Sequence, residues 1–259
     1  TTTQNLFFTP CFDLSHGENS IKVRAKDSVG NWSNQGVHVL YVDLISPNIP
    51  TPTTNSPTNN TKPTWSWSSV SDAVEYQVYV NEILIGTQSK TFYKSNTELV
   101  FGLNEIRIRA KDAVGNYSDF GTHLVDIDNL PPDIPVPSTL TPTNNKKPIW
   151  SWSDISDAVE YEITLNDVIM GNQQETSFES NVNLEDGNHE IKVRSKDAVG
   201  NYSDYGVHIV TIDDTAPSIP MPITLTPTNN STPTWTWSNI SDAVEYEIVI
   251  NEEFKKINV

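Results

Sequence analysis

The chain repeats itself every 85 residues, and that step decides its architecture before any local reading does. KDSVGNWS begins at Lys26, KDAVGNYS at Lys111 and KDAVGNYS again at Lys196. The tryptophan pairs Trp65/Trp67, Trp150/Trp152 and Trp235/Trp237 keep the same step, as do the SDAVEY strings that start at Ser71, Ser156 and Ser241. No insertion or deletion separates the copies, so each is one folding unit. Length alone, 259 residues, would predict one or two domains at roughly 100–200 residues each, and the repeat overrides that prior.

In this register residues 47–131 and 132–216 are complete repeats. Residues 1–46 correspond to the C-terminal half of a repeat (strands E–G) and residues 217–259 to the N-terminal half (strands A–C′). Thr1 aligns with Gly86 and Val259 with Ser89, so the two pieces together carry one repeat's worth of strands with a short overlap. Two readings follow. The chain is an excerpt of a longer tandem array, or it is a filament subunit whose C-terminal half-module is completed by the N-terminal half-module of the next copy. The second contact would be heterologous and would not close on itself.

Inside each copy the hydrophobic period is 2. Ile106, Ile108 and Ala110 alternate with Arg107 and Arg109, and the same alternation runs through Tyr76, Val78, Val80 and through Tyr161, Ile163, Leu165, as half-buried strands require. Turn signals such as Val-Gly-Asn and Pro-Thr-Asn-Asn punctuate these runs, and no long amphipathic helical stretch competes with them. About seven short strands in such a span predict a β-sandwich. For the copy 47–131 they fall near 50–53 (A), 64–69 (B), 75–81 (C), 84–87 (C′), 90–93 (E), 104–111 (F) and 121–127 (G). The proline-rich A segment suits an edge, because proline donates no ladder hydrogen bond.

PTWSWSSVSDAVEYQVYVNE resembles the B and C strands of fibronectin type III domains. GLNEIRIRAKDAVGNYSDFGTHLVDID resembles the F and G strands of that family and of bacterial Ig-like repeats. The likeness covers essentially the whole chain. Ile21, Ile106 and Ile191 stand in strand F where type III domains often place tyrosine, which moves the likeness toward the Ig-like repeats of large bacterial cell-surface and secreted proteins. The resemblance implies an all-β fold of tandem Ig-like or fibronectin type III-like β-sandwiches and an extracellular or cell-surface location. It also implies a structural role, as the stalk of a surface adhesin or the subunit of a surface filament. The partners would then be copies of the chain itself, head to tail, or flanking repeats of a longer chain. A fold of this kind does not fix function by itself.

Charge and motifs exclude several classes. Thirty-three Asp and Glu against 16 Lys and Arg leave a net charge of −17, which repels a phosphate backbone and excludes nucleic acid as a partner. No window approaches the ~18 apolar residues of a spanning helix, so membrane insertion is not expected. Nucleophile-elbow, HExxH, P-loop and dinucleotide-binding glycine motifs are absent, and no enzyme is read from the chain. Cys11 is the single cysteine; it forms no intramolecular disulfide and reads as a small buried hydrophobe.

The residues able to carry chemistry each have a bland counterpart. Two tryptophans two apart on a strand share one face, and their recurrence in every copy places them in the core rather than on a sugar-stacking platform. The aromatics beside the F–G turn, Trp32, Tyr117 and Tyr202, are the candidate ligand-binding residues of an adhesive, carbohydrate-binding module. Asp112, Gly115 and Asn116, with Asp27, Gly30, Asn31 and Asp197, Gly200, Asn201, read as a shaped turn in preference to a metal loop. Asp126, Asp128, Asn129 and Asp133 at one junction, with Asp213 and Asp214 at the next, resemble the acidic linkers that hold calcium between cadherin-like repeats, and their oxygens suit a hard cation. Stiff proline linkers without metal are the competing reading. His38, His123 and His208 recur on strand G and read as exposed strand residues, one per copy being too few for a zinc site.

Overall fold

The computed structural model describes residues 5–251 and 253–258, and every regular element among them is a β-strand. The chain divides into two compact units, Thr1–Leu130 with Val199–Asn201, and Pro131–Ala198 with Tyr202–Val259.

In the first unit β1 (Gly17–Val23) and β2 (Gly36–Val42) form an antiparallel ribbon. Six further strands follow: β3 (Thr64–Ser66), β4 (Glu75–Val80), β5 (Ile83–Gln88), β6 (Phe92–Lys94), β7 (Gly102–Lys111) and β8 (Gly121–Ile127). They make a four-stranded antiparallel sheet in the order β5-β4-β7-β8 and a two-stranded sheet, β3-β6. The segment ahead of β3 serves both sheets, since Thr53 bridges Ser66 antiparallel and Thr58 bridges Ile127 in parallel. Strands A, B and E therefore oppose C′, C, F and G, which is the order of a fibronectin type III-like sandwich.

The second unit repeats this plan in β9 (Ile149–Ser151), β10 (Glu160–Leu165), β11 (Val168–Gln173), β12 (Ser177–Glu179), β13 (Gly187–Lys196) and β14 (Gly206–Ile212). Its sheets are β11-β10-β13-β14 and β12-β9. A second antiparallel ribbon, β15 (Glu245–Ile250) with β16 (Glu253–Asn258), follows.

Alternation along each strand sends one set of side chains between the sheets. Trp65, Trp67, Tyr76, Val78, Val80, Leu99, Ile106, Ile108, Ala110, Val125 and Ile127 form the first core, and their counterparts 85 residues on, with a buried Ser195 in place of Ala110, form the second. Trp65 stacks on Tyr93 with centroids 6.2 Å apart, and Trp67 meets the edge of Tyr76 at 5.5 Å. Aromatic pairs at these separations add to what their burial contributes. Trp65 and Trp150 are fully buried, as the shared-face argument requires. Trp235 is 43% exposed, because among the described residues no E, F and G strands cover its sheet. The first ribbon is open in the same way: Ile21 and Val23 are 40% and 61% exposed, whereas Ile106 and Ile108, their equivalents, are at 0%.

Strand B is shorter than the apolar pattern suggests. It ends at Ser66, and one further in-register bond, from the Trp67 N–H to the Thr91 carbonyl at 3.0 Å, closes its pairing with β6. Strand F begins at Gly102, where φ is +90°, two residues ahead of the expected start. Two other expectations are corrected. His123 and His208 are not exposed strand residues. They sit on the inward-facing set of strand G, half-buried, with Nε2 shielded from solvent. Cys11 is exposed, because the loop that carries it has no opposing sheet to pack against among the described residues.

Candidate functional site

Residues of strands F and C that point away from the core build a charged and aromatic outer face on each four-stranded sheet. In the first unit Arg109 donates through Nε to Gln77 Oε1 at 2.8 Å and lies over the Tyr117 ring at 4.2 Å. Arg107 lies over Phe120 at 4.5 Å, Tyr79 meets the Phe120 edge at 5.3 Å, and Lys111 pairs with Glu75 at 2.8 Å. In the second unit Arg194 lies over Tyr202 at 4.1 Å and Tyr205 at 4.8 Å, and pairs with Glu162 at 2.9 Å. Burial pushes the Glu162 carboxyl up, but hydrogen bonds from Arg194 and Tyr205 outweigh it and hold the group below its ordinary value. Arg24 covers Trp32 at 4.3 Å. The three aromatics read as ligand-binding residues therefore each have a ring face engaged by a guanidinium of their own strand F, or of the matching ribbon strand and its extension.

The turn after strand F is built around one carboxylate. Asp112 Oδ1 accepts the N–H groups of Val114, Gly115 and Asn116 at 3.0, 2.7 and 2.8 Å, and Oδ2 accepts Asn116 Nδ2 at 2.7 Å. Gly115 takes φ +106°, a conformation that suits glycine. Asp27 makes the same kind of turn, accepting from Val29 N, Asn31 N and Asn31 Nδ2. The Asn31 and Val29 donors hold the Asp27 carboxyl below its ordinary value. For Asp112 burial acts upward, and the donors of Asn116, Gly115 and Val114 overcome it. The shaped-turn reading of this motif describes what the carboxylate does.

Asn116 also reaches outside its turn. Its Nδ2 donates to the carbonyls of Asp43 and Ile45 at 3.1 and 3.3 Å, in the linker that precedes the repeat. Asn201 Nδ2 makes the equivalent bonds to Asp128 and Leu130 at 3.0 and 3.2 Å. Each linker is bent by its own aspartate: Asp43 Oδ1 accepts Ile45 N at 3.0 Å, Asp128 Oδ1 accepts Leu130 N at 3.3 Å and Asp213 Oδ1 accepts Thr215 N at 3.2 Å.

The junction residues read as calcium ligands are thus mostly engaged one by one. Asp126 lies on β8 opposite Leu103, Asn129 is exposed, and the Asp133 carbonyl accepts Ser195 Oγ at 2.6 Å. Asp214 pairs with Lys146 at 2.9 Å. Among the described residues the carboxylates that do converge are Asp43, Asp72 and Asp112, whose oxygens lie within 4.8 Å of one another. They come from the linker, the B–C turn and the F–G turn. Asp72 escaped sequence reasoning, although the recurrence of SDAVEY marks its position in every copy. It occupies φ +72°, which sets it in a turn and not in the strand that SDAVEY leads into.

No protein-family profile matches the chain. Over an alignment 205 positions long, which covers 70% of the chain, it is 27% identical to Exoglucanase A of Cellulomonas fimi, of which the alignment spans 24%. The chain thus spans about a quarter of that protein's length. Among solved structures it is similar to the fibronectin(III)-like modules of CbhA from Clostridium thermocellum, at 17% identity and TM-score 0.38, over 62% of this chain and 94% of that one. It is also similar to the central fibronectin-III array of RIM-binding protein, at 17% identity and TM-score 0.27, over 79% and 84% of the two chains. The strand order described above defines the class: tandem, all-β modules of fibronectin type III-like type.

Proposed function

We propose that this chain is a non-catalytic, extracellular spacer, a rod of tandem fibronectin type III-like modules that sets the distance between whatever lies at its two ends. The observation that supports this most is where the recurring residues go. The tryptophans, the alternating apolar residues and the Asp-Asn turns that define the 85-residue step are used for cores, turns and linkers. Similarity to part of an exoglucanase fits a module that accompanies other domains. The finer reading is a stalk of a surface adhesin or a filament subunit. In it, the open faces at Ile21, Val23 and Trp235 are filled by the matching half-module of another copy, head to tail, or of a flanking repeat. Sedimentation of the purified chain over a concentration series tests the head-to-tail form. Growth of chains one copy at a time supports it, and a monomer at all concentrations rules it out.

The rival reading is a carbohydrate-binding adhesive module using Trp32, Tyr117 and Tyr202. Glycan binding that disappears in Tyr117→Ala and Tyr202→Ala would establish it, and absence of binding on an array would end it. Calcium at the junctions is favoured by one arrangement, the Asp43, Asp72 and Asp112 carboxylates. Melting with calcium and then with a chelator tests it: a chelator-sensitive rise in Tm establishes the ion, and identical curves dismiss it.

A further inference from the structure

The geometry points to Asn116 and Asn201 as positioning residues that clasp each linker to the following module. The inference deepens the spacer reading, on which its biological meaning rests. A carboxamide nitrogen has two hydrogens. On Asn116 the bond to Asp112 Oδ2, at 2.7 Å, uses one of them. The other is shared between the carbonyls of Asp43 and Ile45. Asp112 is thereby the anchor, Asn116 the clasp and the linker the object held.

Three observations make this a built device rather than a chance contact. First, both acceptors are presented together because Asp43 Oδ1 caps the Ile45 N–H at 3.0 Å and bends the linker around itself. Second, the linker contacts recur 85 residues on, with Asn201 on the Asp128 and Leu130 carbonyls and Asp128 Oδ1 on the Leu130 N–H. Third, Asp27 and Asn31 form the same turn in the first ribbon, with Asn31 Nδ2 on Asp27 Oδ2 at 3.0 Å. The aspartate accepts the donors of the turn in both places, and on Asn116 the second hydrogen of the carboxamide is what the linker uses. A charged anchor strengthens the hydrogen bond it accepts, and it fixes the carboxamide rotamer so that little side-chain freedom remains to be lost when the linker docks.

The test is a distance measurement across the first joint in the full chain. Cys11→Ser removes the exposed native thiol, and nitroxide labels are placed at Ser20→Cys on β1 and Thr122→Cys on β8, both exposed. Pulsed electron-spin resonance should give one narrow distance distribution. Asn116→Ala should raise the undocked fraction on the order of tenfold, seen as a broad second population, since two shared hydrogen bonds are lost. Asp43→Ala, which lies outside the turn, should broaden the distribution in the same way by misaligning the two carbonyls. Asn201→Ala should leave this joint unchanged, and a melting curve verifies that each variant is folded. A narrow distribution that survives both Asn116→Ala and Asp43→Ala overturns the proposal, as does a broad distribution in the parent chain. A failure of the spacer reading looks different: it appears as ligand binding or catalysis by the parent chain, whatever the width of the joint.

Discussion

At the scale of single residues, position within the sandwich decides what a recurring side chain is worth. Trp65 and Trp235 occupy the same place in the 85-residue register, yet one is fully buried and the other 43% exposed. Trp65→Ala should therefore cost about 3–5 kcal/mol in denaturant unfolding, the range for emptying an aromatic from a closed core. Trp235→Ala should cost a small fraction of that. The carboxylates of the turns give a second prediction. Asp27 and Asp112 are held below their ordinary values by the N–H groups of their turns. A lowered folded-state value means that the stabilisation is complete above the unfolded carboxyl pKa, about 3.9, and is lost as pH falls through the folded value. Urea midpoints should accordingly fall below about pH 4, and Asp112→Asn should flatten part of that acid limb. The roles of the two tryptophans in a complete repeat were legible from spacing alone, since i and i+2 share a face. The inward placement of His123 and His208 follows from the same rule applied to strand G, where Gly121, His123, Val125 and Ile127 are one set. Polarity argued for exposure and strand parity won.

Elements are positioned by small residues and by the backbone. Strand A passes so close to the start of strand G that a Cβ on Gly121 would lie 1.6 Å from the Pro50 carbonyl oxygen, and one on Gly206 would lie 1.7 Å from that of Pro135. Gly121→Ala should force strand A off the sheet edge. We expect a loss of about 1–3 kcal/mol or more, read as a lower urea midpoint together with faster amide exchange at Thr53 and Thr58. Gly115→Ala meets no neighbour, and its cost, about 1–3 kcal/mol, comes from the +106° φ instead. Five of the seven strands, C, C′, E, F and G, were placeable from period-2 runs and turn residues to within two residues at most of their ends. The end that shifted most is that of strand B, where pairing with β6 stops after the in-register bond from Trp67 N to the Thr91 carbonyl. The linker clasp was not legible, because its acceptors are main-chain carbonyls that any sequence carries. Only the asparagine at the right step hinted at it.

For the whole molecule, the account is one of reach. The 85-residue step, the absence of helices among the described residues and the use of the recurring polar residues within turns and linkers all favour a module whose product is length. Aromatic side chains that look like a binding platform in sequence carry a guanidinium on one ring face, at 4.1 to 4.3 Å in all three copies. Small-angle X-ray scattering of the purified chain tests the central claim most directly. A single compact body of this length would have a radius of gyration of about 18 Å. Modules about 25–35 Å long, set end to end, predict on the order of 30 Å, and a value at the compact limit would contradict the spacer account.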